Sequence, residues 1–299
     1  VSRLTRLVAW FDAFQQRHVL LAFPIGVVKK YGDDKGGYLA ALFAYYGFLS
    51  LFPLLLLMVT VLGIVLSGNP DLQARIVDSA LGQFPIIGQQ LEDNVNAIQG
   101  NNLALIVGIV GSLWGAFGVT QALQNAFDDT WEVPRRGRSN FFFSKLRGLL
   151  MLLALVAFIG GSTVLTAVGT SFAAVGFLAR ALSTVGTFVL SFALYAAAFK
   201  VLTARDLGLK DILPGSVVAA VGWTVLQVIG GYLVQHQIKN ATALYGFFGI
   251  VLGMLFWIYL IAQVTVYASE INVVMAGHRW PRSLTDPPPE ATPAGAEGR

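Results

Sequence analysis

The chain has 299 residues, a formal net charge of +4 and only 12% charged residues, about half the ~25% of a soluble globular domain. With 56% hydrophobic residues and 32 glycines, a water-soluble fold of this size would lack the polar surface it must hydrate, which argues against a cytosolic enzyme. Cysteine is absent, which excludes disulfides, thiolate metal sites and thiol nucleophiles.

Residues 1–35 carry Arg3, Arg6, Arg17, Lys29, Lys30 and Lys35 around one apolar stretch, Val19–Val28. That stretch is too short to cross hydrocarbon, and no small-residue cleavage site follows it. With Trp10, Phe11 and Phe14 it reads as an amphipathic helix lying in the headgroup layer.

Six charge-free intervals follow: Lys35–Asp71, Asp93–Asp128, Arg147–Arg180, Arg180–Lys200, Asp211–Lys239 and Lys239–Glu270, holding 35, 34, 32, 19, 27 and 30 uncharged residues. A helix needs roughly 20 residues to cross ~30 Å of hydrocarbon, so each interval fits one crossing. The runs lack the alternation of an outer-membrane barrel. The expected fold is therefore all-α: an integral membrane six-helix bundle over residues 36–275, with an N-terminal interfacial helix and amphipathic outer-face helices. Spans are expected near Tyr38–Leu66, Leu103–Asn125, Gly148–Thr170, Leu182–Leu202, Ile212–Val234 and Tyr245–Ser269.

In the first span, Tyr45, Tyr46 and Ser50 precede Pro53, which removes a backbone bond and predicts a kink. The kink serves either packing or a substrate cavity. The connection 67–102 opens with Asn69-Pro70-Asp71, a helix-start pattern. Leu72, Ile76, Ala80, Leu81 and Phe84 share one helical face, and Ile87, Leu91, Val95 and Ile98 another. Two short outer-face helices are expected, acting as a cap or as a gate.

Gly108, Gly111, Gly115 and Gly118 form a stripe along the second span, and Gly246, Gly249 and Gly253 along the sixth. Small residues at this spacing let helices pack closely. At the end of the second span Gln121, Asn125 and Asp128 share a face. Glu270 and Asn272 end the sixth, at the level of Arg135, Arg136, Lys145 and Arg147. These residues are either an inter-helix clamp, with Glu270 paired to a cation, or a site where the cations hold a lipid phosphate. Residues 276–299 are Pro-rich, lack an apolar period and are expected to be a disordered tail.

Seventeen Lys and Arg residues fall on one side of this topology and only Arg75, Arg180 and Lys239 on the other. The asymmetry predicts cytoplasmic termini and accounts for the basic charge without nucleic acid. No HExxH, GxSxG or Walker-type motif occurs, and the three histidines are dispersed. Neither catalysis nor a cofactor or metal site is expected.

Four ordered blocks carry a family resemblance: Ala40–Pro53 (AALFAYYGFLSLFP), Leu113–Val133 (LWGAFGVTQALQNAFDDTWEV), Leu213–Trp223 (LPGSVVAAVGW) and Tyr245–Asn272, which opens YGFFGIVLGMLFWIYL. The chain resembles the YihY/BrkB family of bacterial inner-membrane proteins, most of all its YhjD-like branch. The closing block ASEIN departs at two positions from the Gly-Ala-Glu-Leu-Asn pattern of that family and keeps Glu270 and Asn272. The resemblance implies six spans, a part in envelope integrity and lipid export. An older family label, ribonuclease BN, implies tRNA processing, for which the sequence offers no acid/base pair or metal-binding acids. Three functions are compared: movement or binding of an anionic lipid or lipid-linked precursor, a non-transporting scaffold for envelope assembly, and the ribonuclease. The partners expected are membrane lipids, with anionic headgroups on the cytoplasmic face. A second copy of the chain or envelope-assembly proteins stay open as further partners.

Overall fold

The computed structural model describes residues 10, 12–65, 102–171, 177–233 and 239–283. Their α-helices, in chain order, are α1 (Val19–Asp33), α2 (Gly36–Val65), α3 (Asn102–Thr130), α4 (Phe141–Ser171), α5 (Phe177–Leu202), α6 (Leu209–Leu233) and α7 (Lys239–Ala276). A 3-10 turn, Arg135–Gly137, lies between α3 and α4.

Local chemistry sets the helix ends. Glu132, at φ 55°, closes α3 with backbone bonds from Glu132 N to Asp129 O (3.0 Å) and from Val133 N to Asp128 O (2.8 Å). His278, at φ 47°, closes α7 with the same pair of bonds, from His278 N to Met275 O (3.3 Å) and from Arg279 N to Val274 O (3.0 Å). Both are Schellman endings with a left-handed residue that is not glycine. At the start of α6 the Asp211 carboxylate accepts the Gly208 amide at 2.9 Å, satisfying a donor just ahead of the helix.

Each helix from α2 to α7 packs on the next, α7 returns to α2, and α1 docks on α7. Close approach is set by missing side chains. A Cβ at Gly115 would lie 2.6 Å from Ser50 Cβ, and one at Gly118 2.7 Å from the Tyr46 ring. On α6, Gly215, Gly222 and Gly230 meet Ala268, Val264 and Trp257 of α7 in the same way. An apolar cluster of Phe127, Trp131, Phe199, Leu202, Ile212 and Val273 fills the end of the assembly that carries the helix connections.

The expected bundle of six membrane-crossing helices is corrected. The described residues form eight helices, seven α and one 3-10, and four are long and apolar enough to cross a membrane: Phe141–Leu165, Ala181–Leu202, Leu209–Gly230 and Val251–Ala276. A charge-free interval is a looser criterion than sustained apolarity. The interval covering α3 contains Thr120, Gln121, Gln124 and Asn125, and the side chains of α2 are described only through Ser50. The N-terminal helix α1 buries Ala22, Val27 and Lys30 in the assembly and leaves Leu21 and Val28 exposed. The two outer-face helices fall within 66–101, outside the described residues.

Within the four spans only 22% to 39% of each apolar window is buried inside the protein. The remainder faces outward, as at Leu153, Val156, Val185, Val228 and Phe256. So large an apolar exterior calls for hydrocarbon as its solvent. The chain is a multi-pass membrane protein.

Gly215→Ala is expected to lower stability by about 1–3 kcal/mol or more, because the new Cβ would stand 2.1 Å from the Ala268 carbonyl oxygen. Gly32→Ala, with nothing within 4 Å, is expected to be neutral or slightly stabilising. Thermal unfolding of the two variants in detergent checks the contrast.

Candidate functional site

The polar residues gather where the connections meet. Lys30, on the last turn of α1, is 1% exposed. Its ammonium pairs closely with Asp34, one turn on, and donates to the Thr130 carbonyl at 3.1 Å. It lies 3.6 Å from Glu132 Oε1 and 3.7 Å from Glu270 Oε2. Glu132 in turn binds Arg279 through both carboxylate oxygens, with Nη2 to Oε2 at 2.9 Å. The two Schellman endings cause this meeting: they place Glu132 after α3 and Arg279 after α7 at one level.

Burial pushes the Asp34 carboxyl above the usual carboxylate range, against the pull of Lys30. The hydrogen bonds from Arg279 hold Glu132 below it. Tyr31, stacked on Tyr267 at 3.9 Å between ring centroids, is pushed up to about 12, chiefly by burial.

Residues 277–283 turn back over α1. Gly26 faces Trp280, Arg282 pairs with Asp33 at 3.0 Å, Gln15 donates to the Arg282 carbonyl at 2.7 Å, and Ser283 bonds Asp12 at 2.9 Å. Residues 284–299 of the expected tail lie outside the described residues.

The other sequence-selected residues divide into neighbouring contacts. Asp128 accepts the Ala204 amide at 2.7 Å and is raised by burial. Gln121 accepts from Ser144 at 3.0 Å and reaches Asn125 at 3.4 Å. Arg147 donates to Ser139 at 2.7 Å and to the Thr203 carbonyl at 3.2 Å. Arg135 and Arg136 are exposed on the 3-10 turn, beside the exposed Phe141, Phe142 and Phe143. Asn272 is fully buried and accepts the Gly215 amide at 2.6 Å, holding α6 to α7 where their backbones are closest. Tyr45 and Tyr46 are exposed, edge to face with each other. Gly111, Gly249 and Gly253 are half-buried. The side chain of Pro53 and the surroundings of Gly108 and Gly246 lie outside the described residues.

Between the helices is a cavity of about 230 Å³ to which α2, α3, α4, α5, α6 and α7 all contribute. Phe43, Leu123, Phe127, Leu155, Phe158, Trp223 and Ile261 supply most of its wall. Four of its hydroxyls are committed to their own helices, Ser50 to the Gly47 carbonyl (2.8 Å), Thr120 to Ala116 (2.9 Å), Ser191 to Thr187 (2.9 Å) and Thr265 to Ile261 (2.8 Å), and that of Tyr195 meets Thr265 of α7. A wall whose donors are already engaged selects hydrocarbon over a polar guest. Among the described residues no group of three or more His, Asp or Glu is suited to a metal ion.

The pattern of the family described as Virulence factor BrkB matches residues 27–293. The chain belongs to the BrkB family. The match takes in the Lys30 cluster, every helix from α2 to α7 and the segment folded over α1. Inner membrane protein YhjD of Escherichia coli K12 is 23% identical over 274 residues, covering 85% of this chain and 81% of that one. A ribonuclease-like protein of Bacillus subtilis 168, YfkH, is 23% identical over 272 residues, covering 85% and 95%. A protein of Dickeya dadantii 3937 is 22% identical over 262 residues, covering 80% and 79%. No solved structure matches the chain.

Sequence reasoning placed Glu270 among cations, with Arg135, Arg136, Lys145 and Arg147 at its level. In this BrkB-family chain the cation beside it is Lys30, some 240 residues away in sequence. The available signal was the pair Lys30 and Asp34, four residues apart on one helical face.

Lys30→Met is expected to cost about 3–5 kcal/mol, because the buried Glu270 and the half-buried Asp34 would be left without their cation. The double variant with Glu270→Leu is expected to recover part of that loss. A double-mutant cycle on unfolding midpoints in detergent reads the coupling.

Proposed function

We propose that this chain is a protein of the bacterial inner membrane that binds an anionic lipid or lipid-linked precursor and moves it between leaflets, in support of envelope integrity. The observation that carries the reading is the hydrocarbon-selecting cavity lined by six helices. Its volume lies below the ~300–1,000 Å³ of sites that enclose a drug-sized ligand, so it suits part of one acyl or isoprenoid chain. A headgroup then stays outside, where the exposed guanidinium groups of Arg135 and Arg136 offer bidentate contacts to phosphate.

The Lys- and Arg-rich segments support one orientation. Contacts join residues 12–35, 128–147, 203–215 and 268–283 at a single end of the assembly. In this reading that end is cytoplasmic, with both termini, by the excess of cations it carries. Beneath it Asn272 ties α6 to α7 and Asp128 ties α3 to the connection after α5, while Tyr46 and Ser50 form the α2 face that meets Gly118 and Gly115.

Purified protein in vesicles containing fluorescent phosphatidylglycerol is expected to exchange headgroups between leaflets faster than protein-free vesicles. Ala116→Phe, which fills the cavity from α3, is expected to bring exchange down to the protein-free rate with a retained unfolding transition. Equal rates with and without protein count against lipid movement. Unchanged exchange in Ala116→Phe removes the cavity from the mechanism, and a scaffold would tolerate that variant in cells.

A further inference from the structure

At the junction of α1 and α7 the carboxyl groups outnumber the cations that face them. Lys30 and Arg279 face Asp34, Glu132 and Glu270, and Arg279 is engaged by both oxygens of Glu132. That leaves one ammonium, Lys30, for two carboxyls. Asp34 takes the close contact. Glu270 is fully buried, stands 3.7 Å from the ammonium, and neither of its oxygens accepts a hydrogen bond. The remaining titratable groups facing the cluster bring no positive charge: Tyr31 from α1, and Tyr259 and Tyr267 from α7. Arg282, on the return, is held by Asp33.

Two anionic carboxylates on one buried ammonium leave an excess negative charge where the dielectric is low. A single proton cancels the excess and supplies the donor that Glu270 lacks. We propose that Asp34 and Glu270 form a proton-binding site that holds one proton between them, and that release of this proton to water loosens α1 and residues 277–283 from α7. No other bond changes. The proton belongs to the pair and titrates as a pair.

The mechanical consequence follows from what Lys30 connects. Residues 277–283 are bonded to α1 and to the residues before it through Arg282–Asp33, Gln15–Arg282 and Ser283–Asp12, so α1 and this return move together. Their joint attachment to the helix assembly runs through Lys30, the Arg279–Glu132 pair and Tyr31, which bonds Gln263 and stacks on Tyr267 of α7; the charged contacts are the part of it that a proton changes. The upward displacement of the Asp34 carboxyl by burial agrees with a retained proton. A carboxyl raised on folding stabilises the closed form at low pH, and that stability is lost as pH rises through the raised value. Glu132, which is lowered, acts oppositely and weakens the attachment only when pH falls below the ordinary carboxylate range. The attachment is therefore tightest between these two limits. The site stands whatever occupies the cavity, since it concerns only the α1–α7 junction.

The cysteine-free chain allows a direct test. Val28→Cys on α1 and Lys210→Cys at the start of α6 are both exposed positions. Nitroxide labels on the two report their separation in the full chain in lipid nanodiscs, by pulsed electron spin resonance from pH ~5 to ~9, a range that brackets a raised carboxyl. A single narrow distance at the acidic end, giving way to a broad or second population as pH rises, is the expected result. With Glu270→Gln or Asp34→Asn, each of which removes the surplus carboxylate, the narrow distance is expected to persist across the range. A separation indifferent to pH in the parent chain overturns the proposal. So does a transition of unchanged midpoint in either amide variant, and having two variants keeps the question answerable if one fails to fold.

Discussion

Hydrocarbon does not press helices together as water does, because a lipid tail is as apolar as leucine. The helices of this protein must therefore cohere by close contact and by polar groups with nowhere else to turn. Both devices are present along the α6–α7 seam. Gly215, Gly222 and Gly230 bring the α6 backbone against Ala268, Val264 and Trp257, and Asn272 then reaches the Gly215 amide. The α2–α3 seam repeats the first device with Gly115 and Gly118 against Ser50 and Tyr46. Where the backbones stand further apart, as around the central cavity, the walls are apolar and the hydroxyls of Ser191 and Thr265 turn back on their own helices.

The end carrying the connections works by a different balance. Thr130 and Ser269 share a hydroxyl–hydroxyl bond at 2.8 Å, Asp128 secures the Ala204 amide, and Gln124 secures the Ser144 carbonyl at 3.1 Å. These contacts leave few buried polar atoms unmatched, and Glu270 is one of the exceptions. A buried carboxylate is costly unless it is paired and hydrogen-bonded. Its place beside Lys30 and Asp34 makes the junction the part of the molecule most responsive to charge.

Cavity and junction divide the labour between chemistries. The cavity has no charged group in its wall, so a guest there is held by area and shape. The exposed arginines and the charged junction sit outside it, among the connections.

The sequence by itself determined that this is a helical membrane protein of the BrkB family, since composition, charge-free runs and ordered motifs are properties of the chain read linearly. It also placed Glu270 and Asn272 at a polar end. Among the described residues four helices, not six, are long and apolar enough to cross, because absence of charge does not distinguish a lipid-facing run from one such as α3, whose Gln121 and Gln124 bond Ser144 of α4. Only the tertiary structure decided that Lys30 is the cation beside Glu270, that Arg279 meets Glu132, and that Asn272 bonds an amide of another helix. Those pairings join residues from 57 to about 240 positions apart. Linear spacing holds no record of them: they exist once backbones have packed closely enough for a short side chain to cross from one helix to the next.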